Sequence, residues 1–353
     1  MPTYNPIFVR SPKFVNILAT PNDTTTVEIY ITNYGAPLPT SPTYTLSKPI
    51  TSANNLTMHY DISPYCREFI SHLKFDAVND MAIADNNEWC LVKVVTYINK
   101  VALNTTYYAA FDGFGYYTEG YNPDLGEVFL DEGTYYVEQN QFLHGGVFYY
   151  ADPNTLWEVE FESLVSGSTT TYTLDDNYNC VPYIDDNFVG TGEGNIVRFY
   201  KDTVLYKTFT FEEVCEPKYT PLKCDFVNKY GSWQRIVFFK ASRQNFEAKG
   251  TEFHLMPKDI NYNIYENRKQ TFNRNGVQTI KCNTGFVPES YKEVMKQLLL
   301  SEKINIDDVP VKLRTQNVEL QEHITKKLIN YELEFEYSHE QRNYVIWGRY
   351  KFT

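Results

Sequence analysis

Several things are missing from this sequence, and each absence narrows what the chain does. No run approaches the roughly 18 consecutive apolar residues of a membrane-spanning helix, so no membrane insertion is expected. The opening MPTYNPIFVRSPKF has no basic stretch followed by an apolar core, so no secretory signal is expected and the thiols are expected to stay reduced. Six cysteines occur, at 66, 90, 180, 215, 224 and 282, without a CxxC pair. Cys66 and Cys90 are expected in a core as small hydrophobes. Positive charge is scarce: 32 Lys and Arg stand against 44 Asp and Glu, a net charge of −12. That balance disfavours a phosphate-binding surface, so no specific nucleic-acid binding is expected.

Catalytic and metal-binding patterns are equally thin. No GxSxG occurs, and His59, His72, His144, His254, His323 and His339 form no HxxxH or HExxH spacing. Gly190-Thr-Gly192-Glu-Gly194 lacks the spacing and the following helix of a phosphate loop. Asp175, Asn177, Asn179 and Asp186 fit calcium-loop positions, but Cys180 stands where the tight turn needs glycine. Ser71-His72-Leu73-Lys74 matches SxxK without its companion elements. The doubled acids Asp185–Asp186 and Asp307–Asp308 would suit a glycosidase only if brought across a cleft, and solvated loops are the plainer reading. The expectation is therefore no catalytic, cofactor-binding or metal-binding residue, and no enzyme.

What is abundant is aromatic. Tyr 30, Phe 23 and Trp 4 make up 16% of the 353 residues, a bias that favours strands, broad sheet faces and protein interfaces. Strand patterns dominate the chain: VEIYITNY (27–34), YTLSKP (44–49), LTMHYDI (56–62), WCLVKVVTYI (89–98), VFYYAD (147–152), WEVEFESL (157–164) and IVRFYKDTVLYKTFTF (196–211). The last is a hairpin with Lys201–Asp202 near its turn. A short helix is expected over 63–73, with Ser63 as N-cap and Pro64 in the first turn. Over 287–302, Val287, Tyr291, Val294, Met295, Leu298 and Leu299 fall at helical spacing.

The fold class expected is mainly β. An immunoglobulin- or fibronectin-like sandwich (1–112) is followed by a second β domain (113–217) and a β-rich C-terminal domain (218–353) carrying the amphipathic helix.

Two segments point to surfaces. INYELEFEYS (329–338) alternates strictly, which places Ile329, Tyr331, Leu333, Phe335 and Tyr337 inward. Glu332, Glu334 and Glu336 then line the other face about 7 Å apart, a row of like charges that suits water or a neighbour's cations. In FVNKYGSWQRIVFFKAS (226–242), Tyr230 and Trp233 flank a turn at Gly231. A core or subunit-contact hairpin is preferred there over a platform stacking on sugars or bases.

The ordered set KCDFVNKYGSWQRIVFFKAS, ESYKEVMKQLLLSEKI and KLINYELEFEYSHEQRNYV resembles virion structural proteins of tailed phages that infect Bacteroidetes, including crAss-like phages. FVRSPKFVNI, YTLSKP, YDISPYCREFI and AAFDGFGYYTEGYNP extend the resemblance over most of the chain. It implies a particle component of the tail, collar ring or baseplate, assembled in the host cytoplasm. Its partners would be further copies of itself, as a symmetric homo-oligomer, and other virion proteins. It carries over no functional residue. A carbohydrate- or receptor-binding tail module and a tail-spike glycan hydrolase are the alternatives.

Overall fold

The computed structural model describes residues 4–33, 36–51, 56–72, 87–122, 127–128, 133–138, 146–149, 156–164, 166–173, 181–182, 195–214, 218–256, 260–261, 263–317, 328–339 and 341–342. Among them the chain is mainly β, in several largely antiparallel sheets with three short helices. None of those helices is long and apolar enough to cross a membrane.

The first part holds β1 (Asn5–Phe8), β2 (Phe14–Ala19), β3 (Thr24–Asn33), β4 (Tyr44–Pro49), β5 (Leu56–Asp61), α1 (Ser63–Arg67), β6 (Trp89–Ile98) and β7 (Val101–Phe111). Five strands form one sheet in the order β1-β7-β6-β3-β4, and β2 pairs with β5 in a second. Period-2 alternation turns Val27, Ile29 and Ile31 of β3 inward, where they meet Val92 and Val94 of β6 and Ile17 and Tyr60 of the second sheet. Each such side chain contributes about 1.5–3 kcal/mol by leaving water. Cys66 and Cys90 lie in this core, as expected.

Helix α1 is shorter than its sequence suggests, and Ser63 does not cap it. The Ser63 hydroxyl accepts from the Lys13 N–H at 2.9 Å and donates to the Ser11 carbonyl at 2.7 Å. It is spent on tying the β1–β2 loop, and Ile62 takes the cap position.

The second part holds α2 (Tyr116–Glu119), β8 (Glu127–Val128), β9 (Gly133–Glu138), β10 (Gly146–Tyr149), β11 (Trp157–Ser163), β12 (Thr169–Thr173), β13 (Val181–Pro182), β14 (Asn195–Lys201) and β15 (Val204–Val214). Their sheets run β12-β11-β14-β15-β9 and β13-β10-β8. The β14–β15 turn centres on Asp202 and Thr203, both at positive φ (50° and 67°), the twist that a two-residue hairpin needs.

The third part holds β16 (Leu222–Val227), β17 (Trp233–Phe238), β18 (Arg243–His254), β19 (Lys269–Pro288), α3 (Tyr291–Leu300), β20 (Ile304–Ile306), β21 (Val309–Leu313), β22 (Leu328–Tyr337) and β23 (Gln341–Arg342). The sheet order is β17-β16-β20-β21-β22-β19-β18, with β23 also pairing β19. Helix α3 starts later than its apolar spacing suggests. Val287 and Pro288 are the last rungs of the β19–β22 ladder, opposite Ile329 and Leu328, so the chain turns helical only after them. Tyr291, Val294, Met295 and Leu298 of α3 join one apolar cluster with Phe226, Ile236 and Leu333 of this sheet. Trp157, Phe199 and Phe209 of the second part belong to that same cluster, so one apolar core joins the second and third parts.

Candidate interaction surfaces

The β16–β17 hairpin is where the first and third parts meet. Asn228 builds its turn: the Asn228 side-chain oxygen accepts from the N–H groups of Tyr230 (3.0 Å) and Ser232 (3.1 Å). Gly231 sits at φ +83°, and a Cβ there would stand 2.6 Å from the backbone nitrogen of Asp112. Only glycine meets both demands. The contact is closed by the Phe114 N–H donating to the Lys229 carbonyl at 2.8 Å and by Lys229 Nζ 3.1 Å from Glu119.

Tyr230 is half-buried against Phe8 (ring centroids 6.2 Å apart), and Trp233 is 3% exposed with its ring edge-on to His72. Trp233 is therefore consumed inside the chain. It is not presented as an open stacking face in this chain. The hairpin is a core element.

Beside it lies a charged tie. Arg10 clamps Asp112 bidentately (Nε–Oδ1 2.8 Å, Nη2–Oδ2 2.7 Å). Glu302 receives Arg10 Nη1 at 3.2 Å and Arg67 Nη2 at 3.1 Å. His72 Nε2 stands 3.5 Å from Asp112 Oδ2, at the outer limit of a hydrogen bond. Burial alone would push the Asp112 carboxyl up; Arg10 and His72 outweigh it and hold it at about 2. An open cleft of about 580 Å³ is lined here by Arg10, Ser63, Arg67, Tyr117 and Glu302 among others. Both guanidinium groups in that cleft are paired with carboxylates, so the arrangement serves as a strut between the two parts.

The β22 row stands as its alternation implies. Ile329, Tyr331, Leu333 and Phe335 are buried, Glu332 is exposed, and Glu334 and Glu336 are half-exposed. Counter-charges come from neighbouring strands of the same chain. Glu334 meets Arg314 at 3.2 Å and Lys281 at 3.6 Å, and Glu336 meets Arg314 at 3.9 Å. A second acidic row lies on another sheet. On β11, Arg198 of β14 bridges Glu160 (2.7 Å) and Glu162 (2.5 Å). Its signal was already present in WEVEFES, which carries the same every-other-residue acids as INYELEFEYS.

Asp307 and Asp308 are the two positive-φ residues of the β20–β21 turn (46° and 66°), and Asp307 Oδ1 accepts from the Lys223 N–H at 2.9 Å. They form a turn and not a pair of carboxylates facing across a groove. Cys66, Cys90, Cys224 and Cys282 are free and buried, and desolvation pushes the Cys282 thiol up to about 12. Among the described residues no three His, Cys, Asp or Glu side chains converge as a metal site. Leu73, Lys74, Asp175, Asn177, Asn179, Cys180, Asp185, Asp186, the 190–194 glycines, His144, Cys215 and His323 lie outside the described residues.

One more surface is built wholly of exposed residues. Every residue of β18 faces solvent, including Phe246 and Phe253. No protein-family model matches the chain, and no curated protein matches it.

Proposed function

We propose that the chain is a non-enzymatic structural component of a tailed-phage virion, oligomerising in the tail, collar ring or baseplate and contacting other virion proteins. The ordered resemblance of its segments to virion proteins of phages that infect Bacteroidetes supports the reading. So does the single observation that carries it on the structural side: a band of large apolar residues left in water along β18 and the turn beyond it, with Met256 and Tyr265 86% and 92% exposed. Singly exposed apolar residues are ordinary, whereas a contiguous set marks an interaction surface. Within this reading, β1–β7 form a sandwich of immunoglobulin or fibronectin type, on the strength of seven strands divided five and two. Residues 1–112, 113–217 and 218–353 are its three units. Mass spectrometry of density-purified particles tests the proposal. Stoichiometric recovery with the known virion proteins is expected, and a chain confined to the infected-cell lysate overturns it.

A receptor- or carbohydrate-binding role is the second reading. Tyr117 on α2 and Tyr121 just after it, both exposed, are the aromatic faces that favour it. Binding on a glycan array that is lost in Tyr117→Ala would support it.

A further inference from the structure

Among the described residues the outer β18–β19 hairpin is a two-stranded ribbon with nothing packed on it. Near its base, β19 is flanked by β22 from Thr279 onward and by β23 at Asn275 and Gly276. Beyond the Lys249–Asn275 rung, the four pairs from Thr251–Phe272 to His254–Lys269 have no further strand among the described residues. From Lys249 to the tip the ribbon extends about 20 Å at strand rise. An isolated two-stranded ribbon is marginal in water. This one is nevertheless internally braced. The Phe246 ring covers Gly276, where a Cβ would stand 2.2 Å from it, and Phe253 packs edge-on against Phe272. At the tip the Leu255 N–H donates to the Arg268 carbonyl, and the Arg268 guanidinium donates to the Met256 carbonyl, both at 2.8 Å. The bracing holds Leu255, Met256, Ile260, Ile264 and Tyr265 out in water.

Charge says what covers them. Residues 243–281 carry seven Lys and Arg against four Asp and Glu, a net of +3 in a chain of −12. The rest of the chain is therefore at −15. The ribbon is complementary to the body from which it projects. Nucleic acid fits less well, because four acids interrupt the ribbon's cations and the body repels phosphate.

We propose that this ribbon is an exchange arm: its apolar tip and basic flanks lie on the acidic body of an adjacent copy of the same chain. The inference rests on the oligomeric reading above and supplies its contact. Ionic attraction would set the register of the contact and the buried apolar tip its strength.

The test uses the full-length protein. Tyr265→p-benzoylphenylalanine is photolysed in an equimolar mixture of ¹⁴N- and ¹⁵N-labelled chains. Mixed-isotope crosslinks from the tip to peptides outside 243–281 are expected, and raised salt should reduce them. In analytical ultracentrifugation, the double variant Ile260→Asp/Ile264→Asp should raise the self-association constant for dissociation by about tenfold or more. Its melting temperature and circular dichroism should stay those of the wild type. If that variant misfolds, the crosslinking still decides. Same-isotope crosslinks only, a monomeric wild type, or unchanged association of a folded double variant overturns the arm. So does a fluorescent DNA duplex that becomes the crosslinked partner. The chain's presence in purified particles is read separately. A virion component whose tip crosslinks to no second copy loses the arm and keeps the role; a self-associating chain absent from particles does the reverse.

Discussion

Two hairpins, adjacent in sequence and placed at opposite edges of one sheet, have opposite fates. Every residue of β17, WQRIVF, is buried. Every residue of β18, RQNFEAKGTEFH, is exposed. The difference lies less in the strands than in what covers them. The β17 edge lies against β9 of the second part, and its turn enters the first part at Asp112. Covering both faces of β17 forces polar residues inside, and they come with partners: Arg235 clamps Asp225 across the β16–β17 rung at 2.6 and 2.8 Å. Among the described residues the β18 edge has no such cover and carries charge instead, which is how an exposed edge avoids indiscriminate pairing.

That contrast can be broken most severely at the buried pair. Burial pushes the Asp225 carboxyl up, and the hydrogen bonds and charge of Arg235 offset this only in part. The pair therefore fixes register more than it adds stability. Arg235→Ala should cost about 3–5 kcal/mol by leaving a buried carboxylate alone, whereas Asp225→Leu with Arg235→Met should be nearly neutral. Urea denaturation of the two variants checks both halves of the statement.

Leu298→Ala, beneath the same covered side of the sheet, should cost about 2–5 kcal/mol in the isolated protein, since Leu298 is 0% exposed. A near-zero change in denaturation midpoint would mean that α3 does not hold the core.

The strut behind the β16–β17 turn should be acid-sensitive. Asp112 is held at about 2 against an ordinary value of 3.8, so its contribution is complete above pH ~4. It is lost as pH falls through about 2, with roughly 2 kcal/mol at stake. Melting curves between pH 5 and pH 2 should therefore fall less steeply for Asp112→Asn than for the wild type.

At the uncovered hairpin, Phe253→Ser should change monomer stability by no more than about 0.5 kcal/mol, as surface substitutions do. Smallest of all is the β22 row. With Arg314 and Lys281 already supplying counter-charge, Glu332→Gln/Glu334→Gln/Glu336→Gln should leave the melting temperature nearly unchanged. Its readout is assembly at low and at high salt. Weaker assembly only at low salt would show that the row also meets a neighbour.

Legibility in the sequence followed the same division. YTLSKP and WCLVKVVTYI have the bounds that their pattern indicates, because β-branched and aromatic residues there end abruptly at turn residues. INYELEFEYS is displaced by one residue, and its inward and outward faces are as read. By contrast, β18 is silent in the pattern: RQNFEAKG has no buried face to impose alternation. At the candidate surfaces, the acids were visible because they sit on one strand. Their partners Lys281 and Arg314 were not, because cross-strand register is a long-range property. The cover of Trp233 is not legible either, since His72 lies more than a hundred residues away in sequence.

That separation sets a schedule for synthesis. Asp112 leaves the ribosome 119 residues ahead of the glycine that must press against it. At about 5–20 residues per second, the gap is roughly 6 to 24 s. The β1–β7 part has its own apolar core and its described strands by then, while the face that awaits Gly231 is still open. During that interval the nascent chain displays an unfinished socket, bordered by Phe8, Trp89 and Phe111, which its own later hairpin must fill before any neighbouring chain does.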